Sequence, residues 1–200
     1  MITIKTPEEI EKLKVAGAIV GETHHYLEKY IKPGVTTKEL DRLAEEFILS
    51  KGATPSFKGL YGFPGSVCVS VNEEVVHGIP GNRQLQEGDI VSIDIGACYE
   101  GYHGDSAWTY PVGKISSEKE YLMRHTEEAL FKGLETIREG AHVGDIGYAV
   151  SEHAKKYQLG VVKELVGHGV GSAVHEEPDV PNYGKKGHGP ELKAGMVIAV

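Results

Sequence analysis

Leu40, Leu43, Ala44, Phe47 and Ile48 recur at the three- and four-residue spacing that lines one face of a helix. Thr36-Thr37-Lys38-Glu39 precedes them, a Thr followed by Glu at capping-box distance, and Gly52 follows, so a helix is predicted between those signals. Thr6-Pro7-Glu8-Glu9 carries the same start signal with proline at the first helical position, which predicts a longer helix from there to about residue 30, stopped by Lys32-Pro33-Gly34. A third helix is expected to open at Ser117 and end near Gly140, and a fourth to be capped by Asp145 and end at Gly160. Over 66–76 and 89–98 the pattern shortens and becomes β-branched, which reads as two strands.

These elements come in an order that repeats. Lys32-Pro-Gly-Val-Thr-Thr-Lys-Glu-Leu40 is echoed by Arg138-Glu-Gly-Ala-His-Val-Gly-Asp-Ile146, and Val76-His77-Gly78-Ile79-Pro80 by Val174-His175-Glu176-Glu177-Pro178. Leu85-Gln-Glu-Gly-Asp-Ile-Val-Ser-Ile93 is echoed in turn by Leu192-Lys-Ala-Gly-Met-Val-Ile-Ala-Val200. A helix, helix, strand unit used twice about a pseudo-twofold axis fits the three echoes, with chance likeness of turn residues as the alternative. If Ile93 matches Val200, the position matching Asp94 lies just past the last residue, and a further C-terminal segment is expected.

One feature breaks the apolar pattern. Asp94 sits inside the run IVSIDIGA, and Asp105 follows after CYEGYHG. A buried carboxylate is costly to ionise without a partner. Glu100-Gly101 is a suitable two-residue hairpin turn, and the odd separation of Asp94 from Asp105 then puts both side chains on one face of the hairpin, opposite or one diagonal apart. Carboxylates that close repel unless a proton or cation lies between them. Solvent exposure, a shared proton and hydrogen bonds from turn amides compete with a metal ion as explanations.

Composition narrows the class. Two hundred residues with 40% hydrophobic content suffice for one sizeable core or at most two small ones, and a single compact domain over 1–200 is expected. A net charge of -8 and only two basic doublets, Lys155-Lys156 and Lys185-Lys186, argue against nucleic-acid or membrane-surface binding. No apolar stretch is long enough for a membrane span and none follows a basic start, so the cytoplasm is expected, with Cys68 and Cys98 as reduced thiols.

Histidines extend the site. His77 lies in VVHGIP, His168 in GHGVG, where the flanking glycines let neighbours or a ligand approach closely, and His175 follows seven residues later. GHGVG fails as a dinucleotide fingerprint at its last glycine. His24, His25, His103, His125, His142, His153 and His188 read as structural or solvated. Carboxylates with an imidazole suit Mn, Fe, Co or Zn ions.

The segments EIEKLKVAGAIV, SVCVSVNEEVVHGIP, GDIVSIDIGACYEGYHGDSAWTY, ELVGHGVGSAVHEEPDVPNY and GMVIAV resemble, in order and over essentially the whole chain, the methionine aminopeptidases of the short, bacterial-like type I. The resemblance implies an α/β (α+β) pita-bread fold, a pseudo-twofold antiparallel sheet with helices on its outer face. It implies two divalent ions, with Asp94 on one, Asp105 bridging both and His168 on the other. It also places His77 near the substrate amine, His175 near the scissile carbonyl, and Phe63, Cys68, Tyr61 and Val174 around the methionine side chain. The family's two remaining ligands, both glutamates, fall beyond Val200, so a chain ending there is expected to bind metal weakly and turn over little. The implied partner is the N-terminus of a peptide or nascent protein, with the ribosome as a further candidate; nothing calls for more than a monomer. Cys68 has no local base and is not read as a nucleophile. Rival readings are a proline-specific pita-bread peptidase, a silent binding protein on the same fold, and a two-metal phosphoester hydrolase. The first usually carries a large domain before the first helix, the second is expected to lose ligands, and the third lacks a glycine-rich phosphate loop.

Overall fold

In chain order the elements are α1 (Pro7–Glu28), α2 (Thr37–Ser50), β1 (Thr54–Pro55), β2 (Val67–Val71), β3 (Ile90–Tyr99), β4 (Tyr102–Pro111), α3 (Ser117–Leu134), α4 (Val143–Lys156), β5 (Val166–Gly169), β6 (Glu176–Pro181) and β7 (Ile198–Ala199). The computed structural model describes residues 1–200, which divide into one unit of residues 11–117 and another of residues 1–10 with 118–200.

In the first unit β3 is the central strand. It pairs with β4 along one edge and with β2 and β1 along the other, antiparallel throughout. Val91, Ile93, Ile95 and Ala97 are buried with Val67, Val69 and Val71 in a core that includes Leu27 of α1 and Leu40, Leu43, Ala44 and Ile48 of α2. Because side chains alternate along a strand, Ser92, Asp94, Gly96 and Cys98 take the opposite face. Asp94 therefore interrupts the apolar run without entering that core. Helix α1 passes β4 at Gly104, where a Cβ would lie 2.6 Å from backbone atoms of Ala16 and Gly17, so only glycine fits.

The helix starts follow the capping signals. The Thr6 amide donates to Glu9 Oε2 at 2.7 Å and the Glu9 amide to Thr6 Oγ1 at 3.3 Å, closing a capping box. Thr36 caps α2 through the Glu39 amide at 3.2 Å, but the Glu39 carboxylate binds Arg42 instead of completing a second box. At α4 the cap position is His142, not Asp145. Asp145 stands at the third helical position and accepts the His142 amide at 2.7 Å and the Gly187 amide at 2.8 Å, which hold its carboxyl below the usual range.

Element ends differ more. The strand predicted over 66–76 stops at Val71 because Asn72 takes a left-handed φ of 55° and ties itself to Asp89 and the Ile90 amide. Val75 and Val76 are β-branched but exposed, in the loop that follows. Helix α3 ends at Leu134 rather than near Gly140, as the Thr136 and Ile137 amides bond to carbonyls three residues back. Helix α4 ends at Lys156, with Gln158 in the left-handed region at φ 56°.

The second unit holds a three-stranded antiparallel sheet in the order β6, β5, β7. Val180 of β6 packs with Ala141, Val143, Ile146 and Leu192 in its apolar cluster. The sequence echo is also a structural one. Gly34 donates to Leu85 O at 2.8 Å and Gly140 to Leu192 O at 2.9 Å; Leu85 returns a bond to Val35 O at 2.8 Å and Leu192 to Ala141 O at 2.7 Å. Gly34 and Gly140 both have positive φ, 90° and 81°, a conformation glycine supplies without steric cost. No helix is long and apolar enough to cross a membrane.

Candidate active-site residues

The β3–β4 hairpin turns through Glu100 and Gly101, both at positive φ (48° and 83°), a two-residue turn whose twist matches the strands it joins. Tyr99 then pairs with Tyr102, Asp94 with Ala107 and Gly96 with Asp105. Asp94 and Asp105 are one diagonal apart on a single face, a separation of about 7–8 Å between Cα atoms. Cys68 of β2 lies directly across from Asp94, on the same face. Burial first, and then the charges of Asp94, Asp105 and Asp41, push the Cys68 thiol up to about 12. It stays protonated at neutral pH and is poorly suited to act as a nucleophile. Cys68 and Cys98 are both free thiols.

Two loops border this face. One leads into β2 and is held by α2: Asp41 Oδ1 accepts the Ser66 and Val67 amides at 2.7 and 3.0 Å, and Glu45 binds the Ser66 hydroxyl at 2.9 Å and Lys58 at 2.5 Å. Burial raises the Asp41 carboxyl above its ordinary value although two amides point at it. Phe63 is half-buried in this loop, and Tyr61, at φ 50°, is 88% exposed. Nothing in the sequence around Asp41 marks it for this task; its partners lie 25 and 26 residues away. The other loop carries His77, which is exposed and held at φ 58°, a region costly for most side chains. Gly78 clamps that loop to β2: its amide donates to Ser70 Oγ at 3.0 Å, its carbonyl accepts from Val69 at 2.9 Å, and a Cβ there would stand 2.2 Å from the Val69 oxygen. The two loops meet at Gly65, where a Cβ would lie 2.9 Å from Pro80 Cδ.

In the second unit His168 sits on β5 where the register with β6 shifts between His168 and Gly169, the two extra residues lying on β6. Its flanking glycines are required by neighbouring backbone. A Cβ at Gly167 would lie 2.3 Å from Ala199 O, and one at Gly169 would lie 2.2 Å from Glu177 O. His168 Nδ1–H donates to Gly169 O at 2.8 Å, which puts the ring's lone pair on Nε2, the tautomer a ligating imidazole needs. His175 packs against it edge-on, ring centroids 4.5 Å apart. The turn behind His175 is fixed by Glu176, whose carboxylate accepts from Thr3 Oγ1 at 2.7 Å, Lys5 Nζ at 2.5 Å and the Ala173 amide at 3.2 Å. Burial alone would raise the Glu176 carboxyl, but these donors outweigh it and take it down to about 2. Val174, beside His175, is buried.

The donor chemistry fits divalent cations: two carboxylates share a sheet face, and an imidazole is locked in its Nε2 lone-pair form. The sequence profile of metallopeptidase family M24 matches residues 11–200. The chain is 56% identical over 200 residues to methionine aminopeptidase 1 of Bacillus subtilis (strain 168), covering all of this chain and 81% of that protein. Crystal structures of methionine aminopeptidase from Thermotoga maritima and Rickettsia prowazekii superpose with TM-scores of 0.97 and 0.96 at 43% and 41% identity, covering 99% and 98% of this chain and 80% and 79% of theirs. Prolidase from Pyrococcus furiosus is more distant, with 27% identity and a TM-score of 0.84 over 56% of its length. The chain belongs to metallopeptidase family M24 and, within it, to the methionine aminopeptidases, with the pita-bread fold and the dependence on divalent metal ions that membership carries.

Proposed function

We infer that the protein hydrolyses the first peptide bond of peptides and nascent proteins, releasing N-terminal methionine where the second residue is small. The observation that carries this reading is the pair of same-face carboxylates, Asp94 and Asp105, in a chain of this family. Asp94 and Asp105 are assigned as ligands of two divalent ions, Asp105 to both, with His168 Nε2 as the imidazole ligand; Co, Mn, Fe and Zn all suit that donor set. Such ions, when bound, lower the pKa of water and polarise a carbonyl.

The chain's own residues supply binding and orientation. His77, held on its clamped loop, is assigned to the substrate amine. His175 donates a hydrogen bond toward the scissile carbonyl oxygen as negative charge develops there, a contribution of about two to three orders of magnitude in rate for one donor. Phe63, Cys68, Tyr61 and Val174 enclose the methionine side chain, and Cys68 does so as a neutral thiol. The reaction is placed in the cytosol, at free peptides and nascent chains on the ribosome, with the protein acting as a monomer and without nucleic-acid or membrane contacts, in keeping with its net charge of -8.

The test is methionine release from Met-Ala-Ser by the full-length protein. Release should be abolished by a chelator and restored by a divalent metal. No release with any of the four metals would overturn the assignment.

A further inference from the structure

Helices α3 and α4 bring together three side chains that the reading above leaves unused. The helices approach closely because Gly133 has no side chain: a Cβ there would lie 2.9 Å from Val150 Cγ2 and 3.2 Å from Ile146 Cγ2. Further along the same interface His125 of α3 meets His153 of α4, ring centroids 5.9 Å apart. Glu128 stands three residues after His125, on the same helix face.

One donor atom from each of His125, Glu128 and His153 lies within 4.8 Å of the other two. His125 Nδ1 is 2.7 Å from Glu128 Oε2. His153 Nε2 is 3.2 Å from the same oxygen, yet it is buried and makes no hydrogen bond. Buried polar atoms are nearly always paired, so an imidazole nitrogen held unpaired beside a carboxylate calls for an explanation. A cation between the three donors would satisfy it. The rings are also fixed in place: Tyr157 stacks on His125 at 3.7 Å and packs on His153 at 4.7 Å, while Tyr121 meets His125 edge-on at 4.3 Å.

The one opposing charge is Arg124, whose Nη2 lies 3.2 Å from His125 Nε2. Arg124 can only donate, so Nε2 accepts and the His125 proton is on Nδ1, pointing at Glu128. With a metal on Nδ1 that proton would sit on Nε2, and Arg124, which is exposed, would turn to solvent. Arg124 thus competes with the cation without blocking it.

We propose that His125, Glu128 and His153 form a second, non-catalytic binding site for a transition-metal dication of the zinc, nickel or copper class. Two imidazoles and one carboxylate match that class and not magnesium or calcium, which take oxygen ligands. The Glu128 side chain is 42% exposed, so solvent can fill the fourth position. The ion cross-links α3 to α4 at the end of their interface away from Gly133.

Zinc is titrated into the full-length protein while the imidazole nitrogens are followed by NMR. The nitrogens of both His125 and His153 should shift to saturation, magnesium should move neither, and Arg124→Ala should tighten zinc binding about fivefold to tenfold by removing the competing charge. By equilibrium dialysis, His153→Gln and Glu128→Gln should each bind one zinc fewer per chain than the parent. Imidazole nitrogens that stay put at saturating zinc, or a folded His153→Gln variant that binds as much zinc as the parent, would overturn the proposal. If the variants fail to fold, the parent's NMR titration decides alone. Methionine release is not read in either measurement, so this site and the proposed activity stand or fall separately.

Discussion

Lys5→Met removes the cation facing Glu176 while keeping a long apolar stem. The pair is well sequestered, with the two side chains only 5% and 12% exposed, so solvent screens it little. Glu176 moves from an ordinary 4.5 to about 2 in the folded chain. At about 1.4 kcal/mol per unit, that span caps its contribution at about 3.5 kcal/mol. Thr3 and the Ala173 amide also donate, so the lysine's share is about 2 kcal/mol, below the 3–5 typical of breaking a fully buried pair. For a chain of this size it corresponds to a fall in Tm of about 4–8 °C at pH 7. The folded pKa is depressed, so the stabilisation is fully present above 4.5 and disappears as pH falls toward 2. Thermal unfolding followed by circular dichroism at pH 7, 5 and 3 should show the gap between parent and variant intact at the first two and narrowing at the third. A deficit of the same size at pH 3 as at pH 7, or none at pH 7, would refute the argument. Because Glu176 adjoins His175, kcat for methionine release should fall in the variant as well.

Asp105→Ala should abolish methionine release and reduce metal uptake while leaving the far-ultraviolet circular dichroism nearly unchanged, since its partner across the hairpin is a glycine; unchanged turnover would remove its ligand role. Iodoacetamide at pH 8 should label Cys98 and spare Cys68 in the folded protein, because the Cys68 thiol titrates near 12; mass spectrometry of the labelled peptides decides. Gly104→Ala should destabilise the chain by about 1–3 kcal/mol or more in urea unfolding, since the added methyl meets the α1 backbone, which cannot yield as a side chain would.

Whatever depends on near neighbours was legible in the chain alone. Thr6 and Glu9 set the start of α1, Glu100-Gly101 set the hairpin, and the hairpin's even loop set the shared face of Asp94 and Asp105, because register follows from turn length and a period of two. The echoed Gly34 and Gly140 likewise closed matching turns, and the family was legible from ordered motifs. Element ends were less legible. Val75 and Val76 have strand propensity, but Asn72 finds partners 17 and 18 residues away and ends β2 first. The three-dimensional packing was needed to see which backbone presses on Gly104, Gly167 and Gly169, that Asp41 holds the entry to β2, and that Lys5 reaches Glu176 across 171 residues. It also brought His125 and His153, both read as structural or solvated, side by side. Their meeting depends on how closely two helices pack, and that distance is fixed by side chains far apart in the chain.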